Sequence, residues 1–163
     1  MSPSRRQVLG GGFALASGYV LGGCGGKTGS SKPKPTPTPP PTLSPAGIAS
    51  VGNEHDLLAA YDAVVLRFPA LAGVLAVPRA HHRDHLAALG APATPSATPY
   101  TVPATQRAAV QALLVLEQAA AAQRQGAAIG DLAFGSVLAS IAASEAVHVD
   151  LLTLAVPTVP ATA

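Results

Sequence analysis

The sequence predicts an all-α fold, a four-helix bundle with a long crossover between its second and third helices. Three observations carry this. Apolar residues recur at alternating steps of four and three along separate stretches, the period of one helix face. Proline and glycine fall between those stretches, at Pro69, Gly90, Gly126 and Pro157, where they end helices. Residues 90–103, with four prolines among fourteen positions, separate two halves of similar pattern. No stretch alternates polar and apolar residues for long enough to compete as a strand.

Residues 1–24 are a leader. Ser4-Arg5-Arg6-Gln7-Val8-Leu9 carries the paired arginines and following apolar residues of a twin-arginine export signal. The apolar stretch from Val8 to Gly23 is too short for a confident membrane span. Leu21-Gly22-Gly23-Cys24 resembles a lipobox, in which the cysteine is lipidated and becomes the mature N-terminus. The alternative is an ordinary signal peptide cleaved elsewhere, with Cys24 left as a free thiol. Cys24 is the only cysteine, so no intramolecular disulfide forms. The expected location is the outer face of the cytoplasmic membrane, with the lipid on Cys24 as the membrane contact. Residues 25–45 form a Gly/Ser/Pro-rich linker. The prolines between Pro33 and Pro45 favour polyproline II, which at about 3.1 Å per residue spans roughly 40 Å.

The net charge of +2 is an average over unlike parts. Arg5, Arg6, Lys27, Lys32 and Lys34 all precede residue 46, and every acidic residue follows it. Across the remaining domain, residues 46–156, eight acids face five arginines, a balance of −3. That excludes the basic footprint of a nucleic-acid binder. Residues 157–163 are expected to be a tail.

The first helix is expected from residue 45 or 50 to 68, ending at Pro69. The second runs from about 70 to 89, with Pro78 as a kink and Gly90 as the stop. The third spans about 104–125 and stops at Gly126. The fourth has Asp131 as its N-cap and ends before Pro157. Gly47, Gly52 and Asn53 allow the first helix a later start. With Asn53 as its cap, Glu54 would lie in the first turn instead of the core.

In the fourth helix Phe134, Leu138, Ile141, Glu145, His148 and Leu152 form one seam. A carboxylate and an imidazole therefore occupy positions where the pattern asks for hydrophobes. Burying a lone carboxylate costs several kcal/mol, on the order of what a domain has to spare. The second helix repeats the pattern with Leu71, Leu75, Pro78, His82, His85 and Leu89. The first and third helices each add one acid to an apolar face, Glu54 and Glu117. Glu54 precedes His82 by 28 residues and His85 by 31, and Glu117 precedes Glu145 and His148 by the same intervals. Composition alone gives no reason for identical offsets in two halves. Inward-facing Glu-x-x-His pairs present one oxygen and one nitrogen ligand to a metal. Glu54, His82, His85, Glu117, Glu145 and His148 are thus the candidate metal ligands, expected to meet at mid-bundle.

The crossover supports the same geometry. Fourteen extended residues reach about 45 Å, more than the roughly 30 Å length of a 20-residue helix. The chain is therefore able to cross the bundle and set helix three parallel to helix two.

Two hairpins joined by a long crossover, with acids on helices one and three and Glu-x-x-His on helix four, resemble the ferritin-like superfamily. More narrowly, Glu54 with Leu57-Leu58-Ala59-Ala60-Tyr61-Asp62-Ala63, Phe68-Pro69-Ala70-Leu71-Ala72, Arg79-Ala80-His81-His82-Arg83-Asp84-His85-Leu86-Ala87-Ala88-Leu89 and Ala142-Ala143-Ser144-Glu145-Ala146-Val147-His148 resemble an uncharacterised ferritin-like domain family of exported actinobacterial proteins. The resemblance covers roughly residues 46–155 and implies the fold, with no established reaction. Carried over residue by residue, the superfamily's ligand pattern matches Glu54, His85, Glu117, Glu145 and His148. Position 82 departs from it, with His where the pattern has Glu. A neutral imidazole has one lone pair and does not bridge two metals. The departure weighs against a dinuclear iron site and leaves a mononuclear Zn, Fe or Mn site chemically reasonable.

Two classes of function follow. One is a lipid-anchored metal-binding protein, with oxidase or peroxide-handling chemistry within its reach. The other is a non-catalytic envelope module on a metal-free fold, binding a protein partner or a second copy of itself. In that second case Glu145 and His148 satisfy each other or pair with Arg79 and Arg124. His55, His81 and Asp84 fall off the seams and are expected in solvent, and Tyr61 is expected in the core with its hydroxyl bonded. Nucleophilic catalysis has no support, because the cysteine lies in the leader and no Gly-rich serine elbow is present.

Overall fold

The computed structural model describes residues 42–93 and 99–161. The export signal at Arg5 and Arg6, the lipidation site Cys24 and the linker up to residue 41 lie outside the described residues. Among those residues the chain is all-helical, with no strand: α1 Pro45–Arg67, a 3-10 turn Pro69–Leu71, α2 Ala72–Ala88, α3 Gln106–Ala128 and α4 Gly135–Ala155.

Helix α1 takes the earlier of its two expected starts. Ser44 is the N-cap, its side chain accepting from the Gly47 amide, and Pro45 opens the first turn. Glu54 is consequently mid-helix and buried. At the other end the Phe68 amide closes on the Val64 carbonyl, and Pro69 turns the chain. Helix α2 runs through Pro78 without ending there. It stops at Gly90, the only described residue with positive φ, at +72°. The Gly90 amide donates to Ala87 and the Ala91 amide to Leu86, the paired bonds of a Schellman motif, which a glycine adopts without strain.

Two expected boundaries are corrected. Helix α3 does not stop at Gly126 but continues to Ala128. A helical glycine costs only about 1 kcal/mol, and the extra turn lets Ala127 and Ala128 pack beside Phe134 and Leu138. Asp131 does not cap α4 directly; the helix begins at Gly135. Its carboxylate instead accepts from the Ala133 and Phe134 amides and from the Ser44 hydroxyl, tying the α3–α4 turn to the start of α1. Gly135 is required there by space, since an added Cβ would stand 2.7 Å from the Ala128 carbonyl oxygen.

Cross-helix bonds set the directions. Asn53 meets Gln123 and Tyr61 meets Glu117, so α1 runs antiparallel to α3. Asp62 meets Arg79 and Glu54 meets His85, so α1 is antiparallel to α2 as well. Helices α2 and α3 are therefore parallel, the arrangement that the crossover length allows. Glu117 with His148 and Arg124 with Glu145 make α4 antiparallel to α3. Past the crossover, Tyr100 and Val102 pack on the core formed by Tyr61, Val64, Phe68, Leu75, Val110, Leu113 and Leu152. A second apolar cluster, Leu89, Phe134, Leu138 and Ile141, closes the opposite end.

The expected tail is not free. Val159 is buried in the first cluster. The Arg107 guanidinium donates to its carbonyl at 3.0 and 3.1 Å, and the Arg107 amide donates to Pro160. Burying a valine side chain contributes about 1.5–3 kcal/mol, enough to hold the segment against α3. Helix α4 has the length and apolar composition of a membrane span. Its inward face nevertheless carries a buried acid and a buried histidine, as a core helix does when partners compensate them.

Candidate metal centre

Between the two apolar clusters the four helices turn polar side chains inward. Glu54, His82, Glu117, Arg124, Glu145 and His148 are fully buried, and His85 nearly so. In the helix frame each occupies a seam position, so the backbone has no means of turning it to solvent without unwinding.

His82 is the centre of the arrangement. Its Nδ1 lies 2.8 Å from Glu54 Oε2 and its Nε2 lies 2.9 Å from Glu117 Oε1. Both ring nitrogens face carboxylates, so both are donors and the metal-free ring is an imidazolium. Burial opposes that charge, but the hydrogen bonds and charges of Glu117 and Glu54 outweigh it and raise the His82 pKa to about 9. Glu54 also accepts from His85 Nδ1 at 3.2 Å. Glu117 Oε1 accepts from His148 Nδ1 at 3.2 Å and from the Tyr61 hydroxyl at 2.6 Å. Burial alone would push both carboxyls up. Hydrogen bonds from His82 and His85 to Glu54, and from His148 and His82 to Glu117, bring each down to about 2. The Tyr61 hydroxyl moves the other way, raised by burial and by the neighbouring Glu117 charge.

Arg124 supplies the fixed positive charge. Its Nη1 bonds Glu145 Oε1, and its Nη2 lies 2.8 Å from Glu54 Oε1. The second approach is close without being aligned for donation, because Nη2 and Nε have no hydrogen-bond partner among protein groups. The attraction to Glu54 is thus coulombic and not a directed bond. Glu117 Oε2 and Glu145 Oε2 are likewise buried without a partner. Burial raises the Glu145 carboxyl to about 8, with Arg124 offsetting part of the rise and the Glu54 and Glu117 charges adding to it. With Glu145 protonated, the charges of Glu54, Glu117, His82 and Arg124 cancel, which is how a metal-free core tolerates three acids.

Two groups of ligating atoms result, Glu54–His82–His85–Glu145 and His82–Glu117–His148, the atoms of each lying within 4.8 Å of one another. Nitrogen and carboxylate donors of this kind suit Zn, Fe or Mn. The unpaired oxygens of Glu117 and Glu145 are the groups such an ion would satisfy, and their burial otherwise goes against the rule that buried polar atoms find partners. The donor set fits a divalent cation.

All six residues singled out by their spacing are brought together. Other expectations are corrected. His81 is not in free solvent: its Nδ1 lies 3.0 Å from His148 Nε2, with the Ser144 hydroxyl 3.4 Å from that same Nδ1. Arg79 does not reach Glu145 or His148 but pairs with Asp62 at the surface. His55 bonds the Pro92 carbonyl at 2.9 Å, tethering the start of the crossover, while Asp84 is exposed. Tyr61 is a core residue with a bonded hydroxyl, as expected. Arg124 is the residue whose weight the sequence reading underrated. Its signal was present, since Val110, Leu113, Glu117, Ala120 and Arg124 continue one seam at steps of 3, 4, 3 and 4.

No protein-family model matches the chain, and no curated protein or solved structure matches it either.

Proposed function

We propose that this is an exported, lipid-anchored protein of ferritin-like architecture that binds a divalent transition metal at mid-bundle through Glu and His side chains. The carrying observation is that all four helices deliver ligand-type side chains to one buried centre, in which two carboxylate oxygens have no protein partner. The order of the helices, the crossover between α2 and α3 and the inward i, i+3 pairs support the ferritin-like architecture. The paired arginines and Cys24 support export and anchoring.

Glu54, His82, His85, Glu117, Glu145 and His148 are the residues available to hold the ion. A bound ion would supply Lewis-acid or redox chemistry. Around it, the protein's own groups do the positioning. Glu54 fixes the ring of His82 through Nδ1, Tyr61 fixes Glu117, and His81 fixes His148 through Nε2, outer contacts that set which ligand atoms face inward. The apolar clusters at either end keep bulk water from the centre.

The experiment is metal analysis of protein purified without added metal, followed by melting curves with chelator and with added Zn, Mn or Fe(II). An ion that binds only the folded state stabilises by mass action, about 2.7 kcal/mol at a hundred times the dissociation constant. Unchanged curves under all these conditions would exclude the metal reading. A second reading would then stand, a metal-free envelope module on the same scaffold. The Arg124–Glu145 pair favours it, because an internal cation already compensates one of the buried acids.

A further inference from the structure

We infer that the Arg124 guanidinium occupies the place of a second cation, so that the centre holds one divalent ion, bound by His82, Glu117 and His148. The inference rests on the metal reading above and narrows it.

The two ligand groups are not equivalent. In the group formed by Glu54, His82, His85 and Glu145, both carboxylates are already engaged by the same guanidinium, Nη1 on Glu145 and Nη2 2.8 Å from Glu54. A metal ion placed between those carboxylates would stand against a positive charge that is fully buried beside them. The other group has no such occupant. His82 would present Nε2 while Glu54 Oε2 keeps the proton on Nδ1. His148 would present Nδ1 while its Nε2 lies 3.0 Å from His81 Nδ1. Tyr61 donates to Glu117 Oε1 and leaves Oε2 with no partner. Each of the three ligands thus has an outer contact that orients it, as metal-binding histidines and carboxylates require.

Formal charge agrees with the geometry. Even with Glu54, Glu117 and Glu145 all counted as carboxylates, the most negative state of the centre, Arg124 and one divalent ion with neutral histidines already complete the balance. A second divalent ion would leave two positive charges uncompensated in a buried site, which is costly without further anions. His82 shared between the groups points the same way, since one imidazole nitrogen on each of two ions would strip the proton that Glu54 holds.

The test is the number of Zn(II) or Mn(II) ions bound per chain at equilibrium, for the wild-type chain and for Arg124→Met. One ion for the wild type and two for Arg124→Met are expected. No ion on the wild type would overturn the metal reading itself. Two ions on the wild type, or one on a folded Arg124→Met, would overturn the role given to Arg124 and leave the metal reading standing. Should Arg124→Met fail to fold, Glu117→Gln decides: it should lose more than about 100-fold in affinity for the ion, beyond an outer-contact effect, and a smaller loss would overturn the inference.

Discussion

The Arg124 guanidinium donates to the Glu145 carboxyl with both side chains withdrawn from solvent, one turn of α3 facing one turn of α4. The two residues are not interchangeable in what their loss would do. Glu145 is held near its protonated form by burial, whereas Arg124 is always charged and balances Glu54 as well.

Arg124→Ala should therefore destabilise the chelator-treated protein by about 3–5 kcal/mol, the cost of leaving buried carboxylates without their cation. Glu145→Gln copies the shape of the protonated acid and should cost less than about 1 kcal/mol near pH 6, within the range of one exchanged hydrogen bond. Urea denaturation of both variants measures this. Equal losses would mean that Glu145 is ionised and shares the burden with Arg124.

Stability of the metal-free protein should fall as pH rises from 6.5 to 9. The His82 pKa is raised from 6.5 to about 9, so its contribution is complete below 6.5 and disappears as pH passes 9. The Glu145 pKa is raised from 4.5 to about 8, which favours the folded state less with each step above 4.5. Each proton held only by the native state contributes a slope of about −1.4 kcal/mol per pH unit. Glu54 and Glu117, lowered from 4.5 to about 2, act oppositely and lose their contribution as pH falls through that range. His81, lowered from 6.5 by burial and by neighbouring His148, adds stability as pH rises towards 6.5, so the optimum should lie between pH 4.5 and 6.5. Chemical denaturation in chelator from pH 3 to 9 checks it, and stability climbing between 6.5 and 9 would contradict the protonated His82.

Gly135→Ala should destabilise by about 1–3 kcal/mol, because its Cβ meets backbone and not a movable side chain. Gly52→Ala, in an exposed helical position with nothing within 4 Å of the added carbon, should stabilise by about 0.4–1 kcal/mol. Thermal melts of the pair distinguish close approach from mere helix propensity. A neutral Gly135→Ala would show that the α3–α4 turn relaxes.

Cys24→Ala should no longer incorporate labelled fatty acid, and replacing Arg5 and Arg6 by lysines should hold the protein in the cytoplasm without unfolding it. Equal labelling of wild type and Cys24→Ala would remove the anchor. Normal export of the lysine variant would remove the twin-arginine assignment.

What the sequence determined by itself was local. Pro69 divides the first hairpin and Gly90 ends α2 because each acts through its own backbone geometry, whereas the sequence leaves the start of α1 open and the cap from Ser44 sets it at Pro45. The seam positions of Glu54, His82, His85, Glu117, Glu145 and His148 were legible for the same reason: helical period fixes direction from the axis whatever the partner. Only the tertiary structure decided which charges neutralise which. Arg79 and Arg124 look alike in sequence, yet one pairs with Asp62 at the surface and the other lies buried between Glu54 and Glu145. His81 reached His148, Asp131 reached Ser44, and Val159 entered the core. Each of these contacts joins residues far apart in the chain, and their energy depends on distance and burial, quantities that exist only once the helices have packed.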